Sequence, residues 1–361
     1  MKEKRNYGID LLRNILMLFI IIGHLFVHTK IRNQLTFFSD KWFYTWALQT
    51  LTICSVDCFI IITGYYMIDN IYSLWKGILL WIKVLLYSVI IFLIMLFAGQ
   101  VSFSSGVLLD ALFPIFRKEY WFFTMYFLLY LLIPFINEAI RNMTKDKLKY
   151  LVAIVVSIFY IEPIFSALFY QYDETEGFSI IAFITLYVIG AFLSKQQDLK
   201  IKYCVVLLVS SSLVILLSKV VLESIKLSGK MNLGTGLFYH YNTIFVLVNA
   251  IVLFLIFKQV NIKPFFYRLI KWCSPSVFAV YLLHENPIVR NKLWNPELSM
   301  YLSECNFSTY IIMSIGIPVV IFFVSIIVDR FVINKILEFF IKTSFANKLK
   351  EKCSRYSMVV R

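Results

Sequence analysis

Arg13 and His24 lie eleven residues apart within one apolar stretch. At 3.6 residues per turn that is just over three turns, so both side chains share a helix face, about 16 Å apart along the axis. Asp10, three residues before Arg13, and His28, four after His24, extend the same stripe. An ionisable group inside an apolar span is expensive and is a functional candidate by default. A neutral imidazole can take a proton from a hydroxyl group, and a guanidinium can hold a phosphate. One helix would then carry an anion anchor and a base at two depths. Each residue also has a structural explanation: Arg13 can snorkel to the headgroups, and a buried histidine can bond a backbone carbonyl.

Other candidates are spread along the chain. Asp57 lies mid-stretch in Ser55-Val56-Asp57-Cys58, where a carboxylate needs a partner, either a histidine or the neighbouring hydroxyls. Gly64, two turns on, should let another helix approach closely. Glu119, Tyr120 and Trp121 open a later stretch. The two aromatics suit a membrane interface, and Glu119 could orient a base or bind a sugar hydroxyl. Near the end, Tyr281 to His284 is followed by Glu285, Asn286 and the helix-breaking Pro287. That places His284 at about the depth of His24. His240 reads as a packed core residue, and Lys83 has no evident role. There is no Gly-rich phosphate loop, HExxH or GxSxG. The six cysteines form no CxxC pair, so no metal site is expected.

The elements that hold these residues follow from composition. The chain has 361 residues, 60% hydrophobic and 16% charged, against roughly 45–50% and about 25% for globular domains. Its mean hydropathy is +0.78. A secreted disulfide scaffold, a disordered chain and a cytosolic α/β enzyme are excluded. Ten stretches approach the ~20 apolar residues that cross a bilayer: Ile9–Thr29, Thr45–Ile68, Leu74–Ala98, Tyr120–Ile140, Leu148–Tyr170, Phe178–Ser194, Ile201–Leu222, Leu237–Phe257, Ser274–Val289 and Ser308–Val328. The expected fold is an all-α, polytopic transmembrane bundle of about ten spans. Lys and Arg concentrate in alternate loops, and the segment around Asp173, Glu174 and Glu176 has neither. This asymmetry predicts that both termini are cytoplasmic. It also accounts for the net charge of +14 without nucleic acid. Residues 1–332 form the transmembrane domain. Residues 333–361 form a basic tail, amphipathic around Leu337–Phe345 and expected on the inner leaflet.

Together these residues resemble the acyltransferase 3 family of integral membrane O-acyltransferases. The likeness rests on Asp10-Leu11-Leu12-Arg13 followed after ten residues by His24. It continues in Val56-Asp57-Cys58-Phe59 and Thr63-Gly64-Tyr65. Trp121-Phe122, Tyr130-Leu131-Leu132, Pro134 and Asn137 carry it further, as does Tyr281 to His284. It spans residues 7 to about 290. Cys58 stands where the family has a large apolar residue and Thr63 where it has Ser. The inner loops show no paired-arginine motif. The wording from His284 to Pro287 is similar to that of bacterial exopolysaccharide or capsule O-acetyltransferases.

The resemblance implies transfer of an acyl group, commonly acetyl, from cytoplasmic acetyl-CoA to a hydroxyl of a cell-surface or lipid-linked glycan, at the plasma membrane. Arg13 would attract the donor. His24 would act as base or as a covalent acyl carrier, with Asp57 or Glu119 fixing its tautomer. Tyr120, Trp121, His284 and Glu285 would contact the acceptor. The competing reading is a carrier, a lipid-linked glycan flippase or a proton-coupled transporter, with Arg13, His24 and Asp57 as its relay.

Overall fold

The structure, a computed structural model, describes residues 5–117, 119–169, 177–229 and 235–359. Its regular elements are all helical. The first half comprises α1 (Tyr7–His28), α2 (Asp40–Thr52), α3 (Ser55–Met67), α4 (Leu74–Phe97), α5 (Ser105–Leu112), α6 (Trp121–Arg141), α7 (Lys145–Val156) and α8 (Glu162–Phe169). Then follow α9 (Ile180–Leu193), α10 (Ile201–Leu227), α11 (Ile244–Gln259), α12 (Tyr267–Cys273) and α13 (Val277–His284). The chain closes with α14 (Pro287–Leu293), α15 (Pro296–Glu304), α16 (Phe307–Val328), α17 (Asn334–Ile341) and α18 (Ser344–Val359). Side-chain oxygens start many of them: Asn6, Ser39, Thr144, Ser179 and Asn306 each accept from an amide of the first turn.

Each of the ten apolar stretches contains helix, and among the described residues seven helices are long and apolar enough to cross a membrane. The sixth, eighth and ninth stretches depart from the expected lengths. α9 has 14 residues, or about 21 Å at 1.5 Å per residue, less than the ~30 Å hydrocarbon core. α11 and the segment Pro264–His284 are long and apolar enough only as a pair, bent by 110°. The second stretch is broken at Ile53 and Cys54. There Thr52 and Ser55 turn their hydroxyls back onto the carbonyls of Gln49 and Thr52, a local competition that favours helix ends. The segment with Asp173, Glu174 and Glu176 lies outside the described residues.

α1 runs through the core, packing on α2, α3, α11, α13 and α16. Leu12, Leu16, Ile21 and Leu25 are fully buried on it. Two glycines allow α3 and α9 to pack closely. A Cβ on Gly64 would stand 2.2 Å from the Tyr187 carbonyl oxygen, and one on Gly190 2.3 Å from that of Ile61. The close approach expected at Gly64 is therefore present.

Lys83, near the middle of α4, is ion-paired to Asp329 at 2.7 Å, just past α16. Tyr87 donates to the same carboxylate at 3.1 Å. Asn334 accepts from Lys83 and donates to Asp329. The lysine without an evident role thus fastens α4 to the end of α16. In the tail, α18 returns to α4 through Trp75, Ala346 and Cys353, while Phe339 and Phe345 remain exposed.

Candidate functional site

The centre of the site is a cluster of two histidines from α1 and a His-Glu pair from the end of α13. His284 is the last residue of α13 and Glu285 caps it. Pro287 then opens α14, with Asn286 accepting from the amides of Ile288 and Val289. This abrupt turn keeps two consecutive side chains in the interior: His284 is fully buried and Glu285 is 3% exposed.

The contacts decide where the protons are. His284 Nδ1 is 2.6 Å from the Val280 carbonyl oxygen. A carbonyl only accepts, so Nδ1 carries the proton and neutral His284 offers the lone pair of Nε2. That Nε2 is 3.0 Å from His24 Nδ1, and Glu285 Oε1 is also 3.0 Å from His24 Nδ1. Both neighbours accept, so His24 Nδ1 must donate. The remaining nitrogen of neutral His24, Nε2, then holds the free lone pair. Glu285 Oε1 additionally binds His28 Nε2 at 2.9 Å, and Oε2 lies 3.5 Å from Arg290 Nη1.

Two cavities meet at His24. The narrower, about 260 Å³, is mostly apolar and runs along α1 between Arg13 and His24, past Phe59, Tyr126 and Phe278. The wider, about 710 Å³, is polar and includes His28, Arg32, Trp46, Lys219, Glu285 and Arg290. Ile20, His24, Val56 and Trp121 belong to both walls. Arg13 is 3.7 Å from Asp10, which Arg5 also binds. Asp10 therefore orients the guanidinium at the far end of the narrow cavity.

Several residues lie elsewhere than expected. The carboxylate on His24 is Glu285; neither Asp57 nor Glu119 makes that contact among the described residues. Asp57 is 2% exposed, lines a separate small cavity with Tyr160 and Ser179, and leaves Oδ2 unpartnered. The helix turn from Asp57 to Val56 explains this, because Val56 is the residue facing His24. Glu119 lines a third cavity with Asp110 and Lys292. Burial and the Asp110 carboxylate raise its pKa above the usual carboxylate range, against Arg290 and Arg117. Tyr120 is fully buried. It donates to the Leu282 carbonyl and accepts from Asn286, so it braces the α13–α14 turn and lines neither main cavity. Trp121 does line both. His284 and Glu285 stand behind His24, on its Nδ1 side. His240 is half-buried on the wide cavity wall instead of in the core.

Sequence reasoning missed Arg290 and Lys219. Lys219 was visible by the criterion that selected Arg13, a cation inside an apolar stretch. Its partner Glu223, one turn on at 2.5 Å, lay just past that stretch.

His24, His284 and Glu285 offer donor atoms within 4.8 Å of one another, close enough to share a metal ion. A metal there would displace the proton on His24 Nδ1, because the same atoms make the hydrogen bonds. The backbone bond of His284 Nδ1 would suit either arrangement.

Comparison with curated proteins and with solved structures gave no match. The family profile of an acyltransferase domain matches residues 6–330, which includes both cavities and the whole His-Glu cluster. Helices able to cross a membrane, and that match over nearly the entire chain, establish it as a membrane acyltransferase belonging to the acyltransferase 3 family.

Proposed function

We propose that this protein transfers an acetyl group from cytoplasmic acetyl-CoA to a hydroxyl of a cell-surface or lipid-linked glycan. In this reading the chain crosses the plasma membrane about ten times with both termini in the cytoplasm. The observation that carries the reading is the position of His24 at the junction of a narrow apolar cavity and a wide polar one. The pantetheine arm that carries the thioester is long and thin, and the narrow cavity suits it. Arg13, at the far end of that cavity, would draw the donor's phosphates. A glycan is broad and polar, and the wide cavity suits it, with Trp121 at the meeting point.

The chemistry then follows from the tautomer. His24 Nε2 takes the proton from the acceptor hydroxyl as its oxygen attacks the thioester carbonyl carbon. The new C–O bond forms, the C–S bond breaks, and the imidazolium returns the proton to the departing thiolate. Glu285, on Nδ1, stabilises the imidazolium between these steps. His284 and the Val280 carbonyl hold the ring so that Nε2 remains the basic atom.

The test is incorporation of labelled acetyl from acetyl-CoA into host glycan by membranes carrying the protein. His24→Ala should lower the rate by about 10²–10⁴-fold, the usual worth of a positioned base, with the protein still inserted. Transfer at the wild-type rate in that variant would sink the proposal. Label that never depends on acetyl-CoA would do the same.

A further inference from the structure

His24 Nδ1 directs one proton at two acceptors, His284 Nε2 and Glu285 Oε1, each 3.0 Å away. One acceptor would suffice to fix the tautomer, and here there are two. The three atoms converge on one small volume, all within 4.8 Å of one another. A further nitrogen, His28 Nε2, is 2.9 Å from Glu285 Oε1. Imidazoles with a carboxylate are a ligand set that suits zinc, whereas magnesium and calcium take oxygen donors. Zinc bonds these atoms at about 2.0–2.2 Å, so tetrahedral ligands stand about 3.4 Å apart. Donors now 3.0 Å apart need to part by only a few tenths of an ångström. The backbone holds the set in two pairs: His24 and His28 lie one turn apart on α1, and His284 and Glu285 are consecutive at the end of α13. His284 also has the outer contact that zinc-bound histidines make. Its Nδ1 donates to the Val280 carbonyl at 2.6 Å, which leaves the Nε2 lone pair free. Arg290 meets Glu285 through the other oxygen, Oε2. The wide cavity, whose wall includes His24, His28 and Glu285, gives an ion its way in.

We infer that His24, His284 and Glu285 bind one zinc ion, that His28 can fill the fourth position, and that the ion switches the enzyme off. The ion takes the place of the proton on His24 Nδ1. That proton passes through water to Nε2, so the ring stays neutral. His284 keeps its Nδ1 proton and gives the Nε2 lone pair, and Glu285 gives Oε1. No covalent bond other than the N–H bonds of His24 changes. His24 Nε2 then carries a hydrogen and has no lone pair for an acceptor hydroxyl. The switch rests on the proposed function, because it takes His24 as the base; the metal site does not. The ion sits on the Nδ1 side of the ring, away from the reacting atoms. It should therefore lower kcat and leave the KM of donor and acceptor unchanged.

The test titrates the full-length protein in detergent, first stripped by a chelator, with zinc chloride. A competing zinc dye reads affinity, and X-ray absorption at the zinc edge reads the ligands. One ion per chain with at least two imidazole ligands is expected. His284→Gln and Glu285→Gln should each weaken binding by at least about 100-fold, since even loss of a supporting contact costs about 10–100-fold. Saturating zinc should lower acetyl transfer by the wild type by about 10²–10⁴-fold, as loss of the base would. Chelator should restore the rate, and magnesium or calcium should not change it. The absorption and inhibition arms use the wild type and stand even if a variant does not fold. No stoichiometric binding, zinc held without imidazole, or an affinity untouched by both substitutions would overturn the inference. So would zinc at this cluster with the rate unchanged or raised, or inhibition that raises a KM instead of lowering kcat. Zinc bound by the cluster of a protein that transfers no acetyl, with or without chelator, would uphold the metal site while refuting the proposed function and the switch that rests on it.

Discussion

Replacing Glu285 with glutamine tests the central geometry directly. The side chains are nearly isosteric, so packing in this buried pocket is preserved while the charge is removed. The carboxylate oxygen is 3.0 Å from His24 Nδ1. When His24 becomes an imidazolium, the two charge centres are about 4 Å apart, and at an effective dielectric constant near 20 their attraction is about 4 kcal/mol. Arg290 and His28 share the same carboxylate and dilute that figure, so about 3–4 kcal/mol is expected, or two to three decades in rate. A second effect has the same sign. The glutamine amide can present N–H to His24, which moves the ring proton to Nε2 and removes the basic lone pair. Steady-state kinetics with acetyl-CoA and a glycan acceptor should show kcat lower by about 10²–10³-fold, with the KM for donor little changed. A loss of less than ten-fold in a folded Glu285→Gln protein would refute the assignment of this carboxylate.

Arg13→Ala should raise the donor KM and leave kcat nearly unchanged, as expected when an anchor acts equally in ground and transition states. A change confined to the acceptor KM would remove Arg13 from the donor's path. Lys83→Met leaves Asp329 buried and unpaired and should destabilise the fold by about 3–5 kcal/mol. Thermal unfolding in detergent reads this, and combining it with Asp329→Leu should recover much of the loss.

The all-helical architecture was legible, because apolar length is a local property and each stretch contains helix, although among the described residues seven helices, not ten, are long and apolar enough to span. Where expectation and structure diverge, the cause is context. α9 is short because Ser179 caps its start and the chain leaves the helix at Ser194, while α3, α6 and α7 pack against it. The α2–α3 break depends on how Thr52 and Ser55 use their hydroxyls. The Arg13–His24 stripe could be read from helical periodicity alone. The acid that completes the site could not, since Glu285 stands 257 residues from His28 and nothing local distinguishes it from Asp57 or Glu119. Equal depth was inferable for His284. The turn that directs Glu285 inward depends on the joint action of the α13 end, Asn286 and Pro287.

The Lys83–Asp329 pair also has a history. Lys83 and Asn334 are 251 residues apart in the chain. At about 5–20 residues per second, a ribosome needs roughly 13–50 s to bridge that gap. Throughout that interval α4 carries a mid-helix lysine whose partners have not been synthesised, at an insertion penalty of about 2.5–3.5 kcal/mol. The last hydrophobic helix therefore acts as the closing clasp of biogenesis. A chain stopped before α16 leaves α4 with an unneutralised ammonium in the hydrocarbon, a chemical mark by which unfinished copies differ from complete ones.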